Sequence, residues 1–598
     1  MKKYIFHLMM AAATVTTTAT MVSCDEDKFL EEKPLDFMGG DNSYLTTADF
    51  DAAVNGLYNL VRQEFYCGSY GIMNSYCLRT DFAIQADPPM SNLAANLNPT
   101  ADLPKWHWEN LYKLIAQANT VLTRVPNSSM NDDQKRLYEA KGKLFRAMAY
   151  RTLCYYYGGV PLVLEEVMAP KTDYTRASKE ETLAQAIEDA KFAAENLPDI
   201  TAVKDGEISA PAAQVLLAEL YLAAGNNQAA ADMASRVISN PALALMKDRF
   251  GSRASEEGDV YWDLFRRDNQ NRASGNTEGI WVVQIEPNVT GGAGNTGNAF
   301  WVNGDFWQER WWGPQVGLFR LVNTAEGKAI APFVWPTGDY TGGRGIGNYY
   351  NTEHFFLGIW GGKDSYDFKN DIRNSKYNYP RSFKYNSPAF IAEYGELFGE
   401  EFDVMNPNLP EGWTIQTGED KPGITSAPDA LPNRFIGAYQ TKCTSPFNHP
   451  DAQYQNKSTW LLTGTAGKTY QDQYLFRLPE AYLLRAEAYV KLGQKDKAAQ
   501  DINVIRRRAH ASDATADQMD MDYILDERLR EFGIEEQRQM TLSRTGMMTA
   551  RVKKYNPYYS AAHSTDGKDY DDHYSLFPIP QSFIEANTDA KIEQNPGY

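Results

Sequence analysis

Residues 478–498 read Leu478-Pro479-Glu480-Ala481-Tyr482-Leu483-Leu484-Arg485-Ala486-Glu487-Ala488-Tyr489-Val490-Lys491-Leu492-Gly493-Gln494-Lys495-Asp496-Lys497-Ala498, and the same skeleton stands earlier in the chain. Leu216, Ala218, Glu219, Tyr221, Gly225 and Ala230 recur as Leu484, Ala486, Glu487, Tyr489, Gly493 and Ala498, each 268 positions later (484 − 216). Apolar and small residues fall three and four apart up to the glycine and then resume, the pattern of two helices joined by a Gly-centred turn. The alanines let paired helices approach, and the tyrosine packs across the pair, as in a tetratricopeptide-type hairpin. The two copies are too degenerate, and too far apart, for a regular solenoid. The expected fold is mainly α: degenerate helical hairpins carrying a large insert.

Outward from these hairpins the helical pattern continues. Thr47 or Asp49 can cap a helix bearing Phe50, Val54, Leu57 and Val61, followed by a Gly/Asn/Pro-rich loop over roughly 67–104. Leu111, Leu114, Ile115, Ala118, Val121 and Leu122 mark a second helix ending before Pro126. Residues 133–157 form a third, closed by Gly158-Gly159-Val160-Pro161, and residues 178–196 a fourth, stopped by Pro198. The stretch 245–470 is different: rich in Gly, Asn, Trp and Tyr, with a short strand at Ile280–Ile285 and otherwise long loops with small sheets. Loops that long in a compact protein usually carry function.

The 598 residues are 43% apolar, enough for a large core, and carry a formal charge of −18, which argues against nucleic-acid binding. Aromatics reach 13%, with 36 Tyr and 12 Trp. Seven His and five Cys, at 24, 67, 77, 154 and 443, show no zinc-type pairing, and Cys67 and Cys77 could join only in an oxidising compartment. The oxygen-rich run Asp364–Asn374 lacks EF-hand spacing and reads as a solvated polar loop, so neither metal nor cofactor is expected. At the start, Lys2 and Lys3 precede a thin apolar stretch, Ile5–Val22, and Met21-Val22-Ser23-Cys24 resembles a bacterial lipobox. Cys24 would then be lipidated, and the following Asp25-Glu26-Asp27-Lys28 resembles a surface-export tag. Past the leader there is no further long apolar stretch, so the expected membrane attachment is the lipid anchor alone. The organisation read from the sequence is a signal peptide (1–23), a lipidated acidic tether (24–45), N-terminal helical hairpins (46–244), the aromatic insert (245–470) and a C-terminal hairpin with its tail (471–598).

Taken in order, six motifs resemble the SusD/RagB family of surface glycan-binding lipoproteins. Lys28-Phe29-Leu30-Glu31-Glu32-Lys33-Pro34-Leu35 looks like the family's mature start, and Phe145-Arg146-Ala147 with Tyr155–Val163 like its third-helix signature. Arg477–Ala488 matches its late hairpin; Glu527-Arg528, Glu531-Phe532, Arg538 and Arg544-Thr545-Gly546 match the next signature. Leu576–Gln581 and Gln594–Tyr598 match its ending. The chain departs from the pattern at Gln539-Met540-Thr541, where Trp-Phe-Asp is common. The resemblance implies a SusD-like fold with four tetratricopeptide-like units, on the outer face of the outer membrane. It also implies a protein that caps a SusC-like TonB-dependent transporter and binds oligosaccharide or polysaccharide without catalysis. The matched signature residues read as structural.

The candidate ligand site lies in the insert. Residues 300–312, Phe-Trp-Val-Asn-Gly-Asp-Phe-Trp-Gln-Glu-Arg-Trp-Trp, hold four of the 12 Trp. Flat indole faces suit the C–H faces of pyranose rings, so Trp301, Trp307, Trp311 and Trp312 are candidate platforms. Asn303, Asp305, Gln308, Glu309 and Arg310 are candidate hydroxyl partners. The competing reading makes Trp311 and Trp312 a small core beneath the loops. Trp335, Tyr340 and Trp360 are secondary candidates in Gly-rich surroundings. Asn74, Arg79 and Asp81 are the polar options of the 67–104 loop; the competing reading for all three is loop-internal hydrogen bonding, and it is the favoured one for Asp81. Trp281, inside the strand, and Trp106 and Trp108, at a helix start, are expected in the core. Two rival functions remain open from sequence: a glycoside hydrolase, although no catalytic domain or nucleophile elbow is recognisable, and a peptide-binding or purely structural lid.

Overall fold

The computed structural model describes residues 44–66, 79–86, 92–286, 306–335, 338–416, 434–561 and 567–598. The leader and lipobox, most of the tether, Cys67, Cys77, Asn74, Trp301 and Asn303 lie outside the described residues. The main helices are α1 (Thr47–Tyr66), α2 (Asp102–Arg124), α3 (Asp132–Tyr157), α4 (Lys179–Asn196), α5 (Ala210–Ala223), α6 (Asn227–Ile238), α7 (Gln308–Trp312), α8 (Pro388–Phe398), α9 (Leu478–Lys491), α10 (Lys495–Arg508), α11 (Met521–Glu531), α12 (Arg538–Thr545) and α13 (Met548–Tyr555).

The helix boundaries follow from local chemistry. Ahead of α1 the Asp49 carboxylate accepts the Thr46 N–H at 2.8 Å. Reciprocal capping boxes open α3 (Asn131 with Gln134) and α4 (Ser178 with Glu181). α2 begins at Asp102, earlier than its apolar spacing indicates, and brings Trp108 into the core against Tyr157 and Phe583. From Leu144 to Tyr157 every residue of α3 is buried, the mark of a central helix enclosed on all sides. It packs against α2 and α4; α4 packs on α5, and α5 on α6.

The two sequence repeats are the hairpins α5–α6 and α9–α10, and they are spatial neighbours because α6 packs directly on α9. Ala218, Ala230, Ala486 and Ala498 are wholly buried, as close helix approach requires. Gly225 and Gly493 take φ of 77° and 73°, a left-handed turn that a side chain disfavours. The repeated glutamates are keyed by arginines: Glu219 by Arg151 at 3.2 Å and Glu487 by Arg544 at 2.6 Å.

The insert leaves and rejoins this stack through one clasp. Strand β2 (Gly279–Val283) pairs antiparallel with β11 (Gln473–Arg477), with Trp281 opposite Phe476. Every residue of β2 is buried, and Trp281 meets Phe145 and Tyr58 edge-on, in the core as expected. Within the insert, β3 (Arg320–Asn323) is flanked by β4 (Lys328–Ile330) and β8 (Trp413–Gln416), and β6 (Ser382–Lys384) pairs with β7 (Glu401–Asp403). β9 (Tyr454–Asn456) pairs with β10 (Leu461–Leu462), and β1 (Ala83–Gln85) reaches in from the N-terminal part to pair with β5 (Tyr349–Asn351).

A buried ionic network fastens the insert to the C-terminal helices. Arg373 pairs with Asp371, with Glu527 at 2.8 Å and with Glu531 at 3.1 Å. Arg477 and Arg508 both reach Glu278, each at 3.0 Å, and both pair with Glu531. Burial would push the Glu527 and Glu531 carboxyls up, but the surrounding guanidiniums prevail and hold both far below the ordinary range. Asp371 is therefore a buried ion-pair partner and Asp367 pairs with Arg506, which corrects the reading of Asp364–Asn374 as a solvated loop.

Candidate functional site

The described part of the tryptophan-rich run, residues 306–312, presents no platform. Of its described residues Trp307, Trp311 and Trp312 are 1–3% exposed. Trp312 stacks on Phe82 at 5.5 Å and Trp311 on Tyr349 at 5.6 Å, so α7 lies inside a local core shared with β1 and β5. Arg310 is turned inward over the Trp307 ring and donates to the Ala466 carbonyl at 2.8 and 2.6 Å. Gln308 and Glu309 are also buried, as is Trp360, whose Nε1–H donates to the Phe355 carbonyl. Chain segments remote in sequence cover these rings, which is why their density in sequence did not translate into exposure.

Arg79 and Asp81 are likewise structural. Arg79 donates to the Tyr574 carbonyl beneath the Phe577 ring. The Asp81 carboxylate is buried and accepts from Arg538 at 2.9 and 2.6 Å and from Arg551 at 2.7 Å. The N-terminal loop is thereby locked to α12 and α13, and neither side chain reaches an open surface.

Trp335 and Tyr340 do face solvent, at 50% and 44% exposure. The Arg344 guanidinium lies 4.5 Å over the Trp335 ring, and its Nε donates to the Gly464 carbonyl. Tyr340 begins a chain of edge-on aromatic contacts: to Phe447 at 5.0 Å, from Phe447 to Trp460 at 5.2 Å, and from Trp460 to Tyr454 at 5.7 Å. Phe447 and Trp460 both hold left-handed backbone, with φ of 59° and 57°. For bulky residues this costs on the order of 1–2 kcal/mol each, and such strain persists where surroundings impose it, commonly at binding sites. Here the Trp460 carbonyl is fixed by the Asp339 N–H at 3.2 Å.

Tyr340 and Phe447 stand on a cleft of about 840 Å³ whose walls include Trp262, Phe368, Tyr377 and Tyr379. Its charged groups are largely matched. Arg253 pairs with Glu256, Lys384 sits opposite Glu401 across β6–β7, and Glu257 accepts from the Tyr377 hydroxyl. Asp403 accepts from the Met405 N–H and the Asn406 amide. Aromatic faces with a rim of charge-balanced polar groups form a surface for a polyhydroxylated ligand of low charge.

Behind the rim His449 is fully buried, with Nε2 2.6 Å from Glu309 Oε2 and Nδ1 2.7 Å from Asp339 Oδ1. Burial disfavours its charge, but the two carboxylates outweigh that and push it up to about 10, so the imidazole is a cation at neutral pH. Among the described residues no cluster of three or more His, Cys, Asp or Glu side chains is arranged to hold a metal, and no helix is long and apolar enough to cross a membrane. Cys154 and Cys443 are buried free thiols.

Phe447, Trp460, Trp262 and Tyr377 were not singled out by sequence reasoning. They come from separate stretches of the chain, at 262, 377, 447 and 460, and only the fold assembles them.

Comparison with known proteins agrees with this architecture. The family model described as SusD family matches residues 433–598, and the model described as starch-binding associating with outer membrane matches residues 28–222. The chain belongs to the SusD family. SusD-like protein P25 of Formosa agariphila is 23% identical over 600 residues, covering 94% of each chain. Starch-binding protein SusD of Bacteroides thetaiotaomicron is 37% identical over 132 residues, 22% of each. Among solved structures, a laminarin-binding SusD-like protein superposes with a TM-score of 0.62 at 21% identity, over 93% of this chain and all of that one. Surface glycan-binding protein A from Bacteroides thetaiotaomicron, in complex with laminarihexaose, gives 0.61 at 16% identity over 92% of this chain and 99% of its own. These likenesses establish a shared fold.

Proposed function

We propose that this chain is a surface glycan-binding lipoprotein, anchored through Cys24 outside the outer membrane. It captures a neutral oligosaccharide and passes it to a SusC-like TonB-dependent transporter, without catalysis. The reading rests on one observation above the others: the solvent-facing ring of Tyr340 borders an aromatic-walled cleft, and Trp335, five residues earlier, is exposed as well. Relatives whose names record binding of starch and laminarin support a saccharide as ligand. The matched charges of the cleft favour an uncharged sugar, because a polyuronate or sulfated chain needs an excess of basic groups. The lipobox and acidic tether support the outer-surface location, and family membership supports the transporter as partner.

The test is an affinity-gel screen of the protein against laminarin, starch, mannan, pectate and a sulfated polysaccharide. The expected result is retardation by at least one neutral polymer, abolished in the W335A/Y340A double variant. Retention of binding by the double variant, or preference for an acidic polymer, would overturn the site or the ligand class. Steady release of new reducing ends would overturn the non-catalytic reading. Failure of a transporter to co-purify from detergent-solubilised outer membranes would remove the delivery step.

A further inference from the structure

The buried His449 touches two elements far from it in sequence, and those elements carry the rim. Glu309, on its Nε2 side, belongs to α7; the same carboxylate accepts the Arg344 N–H at 2.8 Å and the Thr444 hydroxyl at 2.6 Å. Asp339, on its Nδ1 side, immediately precedes Tyr340 and accepts the Tyr454 hydroxyl at 2.6 Å. Four aromatics are one step from this knot, and two of them, Tyr340 and Phe447, line the cleft. Tyr340 follows Asp339 in sequence, and Trp335 lies under the guanidinium of Arg344, whose backbone is tied to Glu309. Phe447 is two residues before His449, and Trp460 packs on the Tyr454 ring. Gly343 packs so closely on the Glu309 carboxylate that an added Cβ would lie 2.4 Å from it, so the loop has no slack there.

We propose that His449 is the positioning residue of the glycan rim: by bridging Glu309 and Asp339 it keys the Gly338–Arg344 loop to the Thr444–Trp460 segment, so that Tyr340 and Phe447 stand in register on the cleft for a sugar. The inference rests on the saccharide reading of the site. Without a cation between them, two buried carboxylates face one another and drive the loop away from the segment beneath it. Both imidazole nitrogens meet carboxylates, so a doubly protonated ring fits, whereas a neutral ring would turn one nitrogen lone pair toward a carboxylate oxygen.

Other titratable groups face the same knot. Cys443, Tyr439 and Tyr454 are all pushed up, chiefly by burial, and stay neutral through the range of interest. Beyond Glu309 stand Arg344 and Arg310, both lowered by burial but, as guanidiniums, still cations over the range tested. Because the folded value of His449 is raised above 6.5, its contribution is complete below that pH and fades as pH climbs toward about 10.

The experiment uses the purified full-length protein in detergent, with the glycan identified by the gel screen as ligand. It compares wild type, His449→Gln and the triple variant E309Q/D339N/H449Q from pH 5 to 9.5. Wild type should bind evenly from pH 5 to about 8.5 and weaken above that. H449Q should bind at least tenfold more weakly at pH 7.5, without the alkaline decline of wild type. The triple variant, uncharged at the knot but retaining both arginines, should recover to within about threefold at pH 7.5 and lose the alkaline decline. Amide exchange at Asp339, Gly343 and Arg344 should follow the same three profiles, and it reads the knot even if no glycan is found. H449Q matching wild type in affinity, pH profile and exchange would overturn the proposal. If H449Q does not fold, a triple variant whose decline coincides with that of wild type would overturn it equally. Wild type that binds none of the glycans while exchange follows the expected profiles would leave His449 as the key of these loops and refute the saccharide reading instead.

Discussion

Replacing Asp81 by asparagine should destabilise the protein by about 3 kcal/mol without touching ligand binding. Asp81 is wholly buried and receives three hydrogen bonds from two guanidiniums. Breaking a buried pair from one side typically costs about 3–5 kcal/mol, since the remaining charge stays desolvated and unpaired. The low end applies because neither arginine is left alone. Arg538 keeps Glu536 at 3.0 Å, and Arg551 keeps Asp526 at 2.6 Å and Asp522 at 3.1 Å. Asparagine can still accept through its carbonyl oxygen, but its amide points donors at donors. Urea unfolding followed by far-UV circular dichroism reads the loss. With a slope of about 3 kcal/mol/M the midpoint should fall by roughly 1 M. The pH dependence gives a second reading. Burial works to raise the Asp81 carboxyl, but the arginines hold it well below its ordinary 3.8. Its contribution is therefore present above that value and drains away as pH falls below it, so the gap between wild type and D81N should narrow toward pH 2. A midpoint shift below about 0.3 M, or a loss of glycan affinity in the folded variant, would show that the carboxylate is not the structural lock described here.

Trp335→Ala should weaken glycan binding about tenfold, roughly 1.4 kcal/mol, with an unchanged melting temperature, and titration calorimetry separates the two. Trp312→Ala should do the reverse, costing about 3–5 kcal/mol of stability because the ring is enclosed between Phe82 and Tyr349; equal stability by urea unfolding would contradict its core placement. Gly493→Ala should cost about 1 kcal/mol through its φ of 73° alone, as open space surrounds the position, and a neutral result would mean the turn relaxes. Deleting Leu484–Ile505 removes the neighbour of both α6 and α11 and should abolish folding; a soluble, helical deletion product would disprove that dependence.

The helical half was legible because helix periodicity is a local signal. The Leu, Ala, Glu, Tyr and Gly spacing that repeats at Leu216 and Leu484 marks both hairpins, and the capping residues Ser178 and Glu181 announce α4 within four positions. What stayed hidden was decided by contacts across the chain. The partners of Asp81 lie 457 and 470 residues away, so its burial leaves no trace around it. The indoles of α7 looked like a display because four fell in one irregular run, but Phe82 and Tyr349 cover two of them from outside that run. Gly-rich surroundings singled out Tyr340, which is exposed, but also Trp360, which is buried, so that cue alone did not separate display from core. Phe447 and Trp460 carry their signal in a backbone angle, which composition does not display.

The clasp of β2 with β11 has a bearing on how such proteins diversify. Because the chain departs from the helical stack and returns to it at paired strands, the recognition half behaves as a cartridge plugged into one socket. Its length and loops can be exchanged without shifting α6 off α9. The exchange has conditions set at the joints: a replacement cartridge must still present an arginine and an aspartate where Arg373 and Asp371 meet Glu527 and Glu531, and a strand edge for β1 where β5 now pairs with it. Chimaeras that keep this pair should be more stable than those that lose it, in which Glu527 falls back on Arg506 and Arg530 and Glu531 on Arg477 and Arg508.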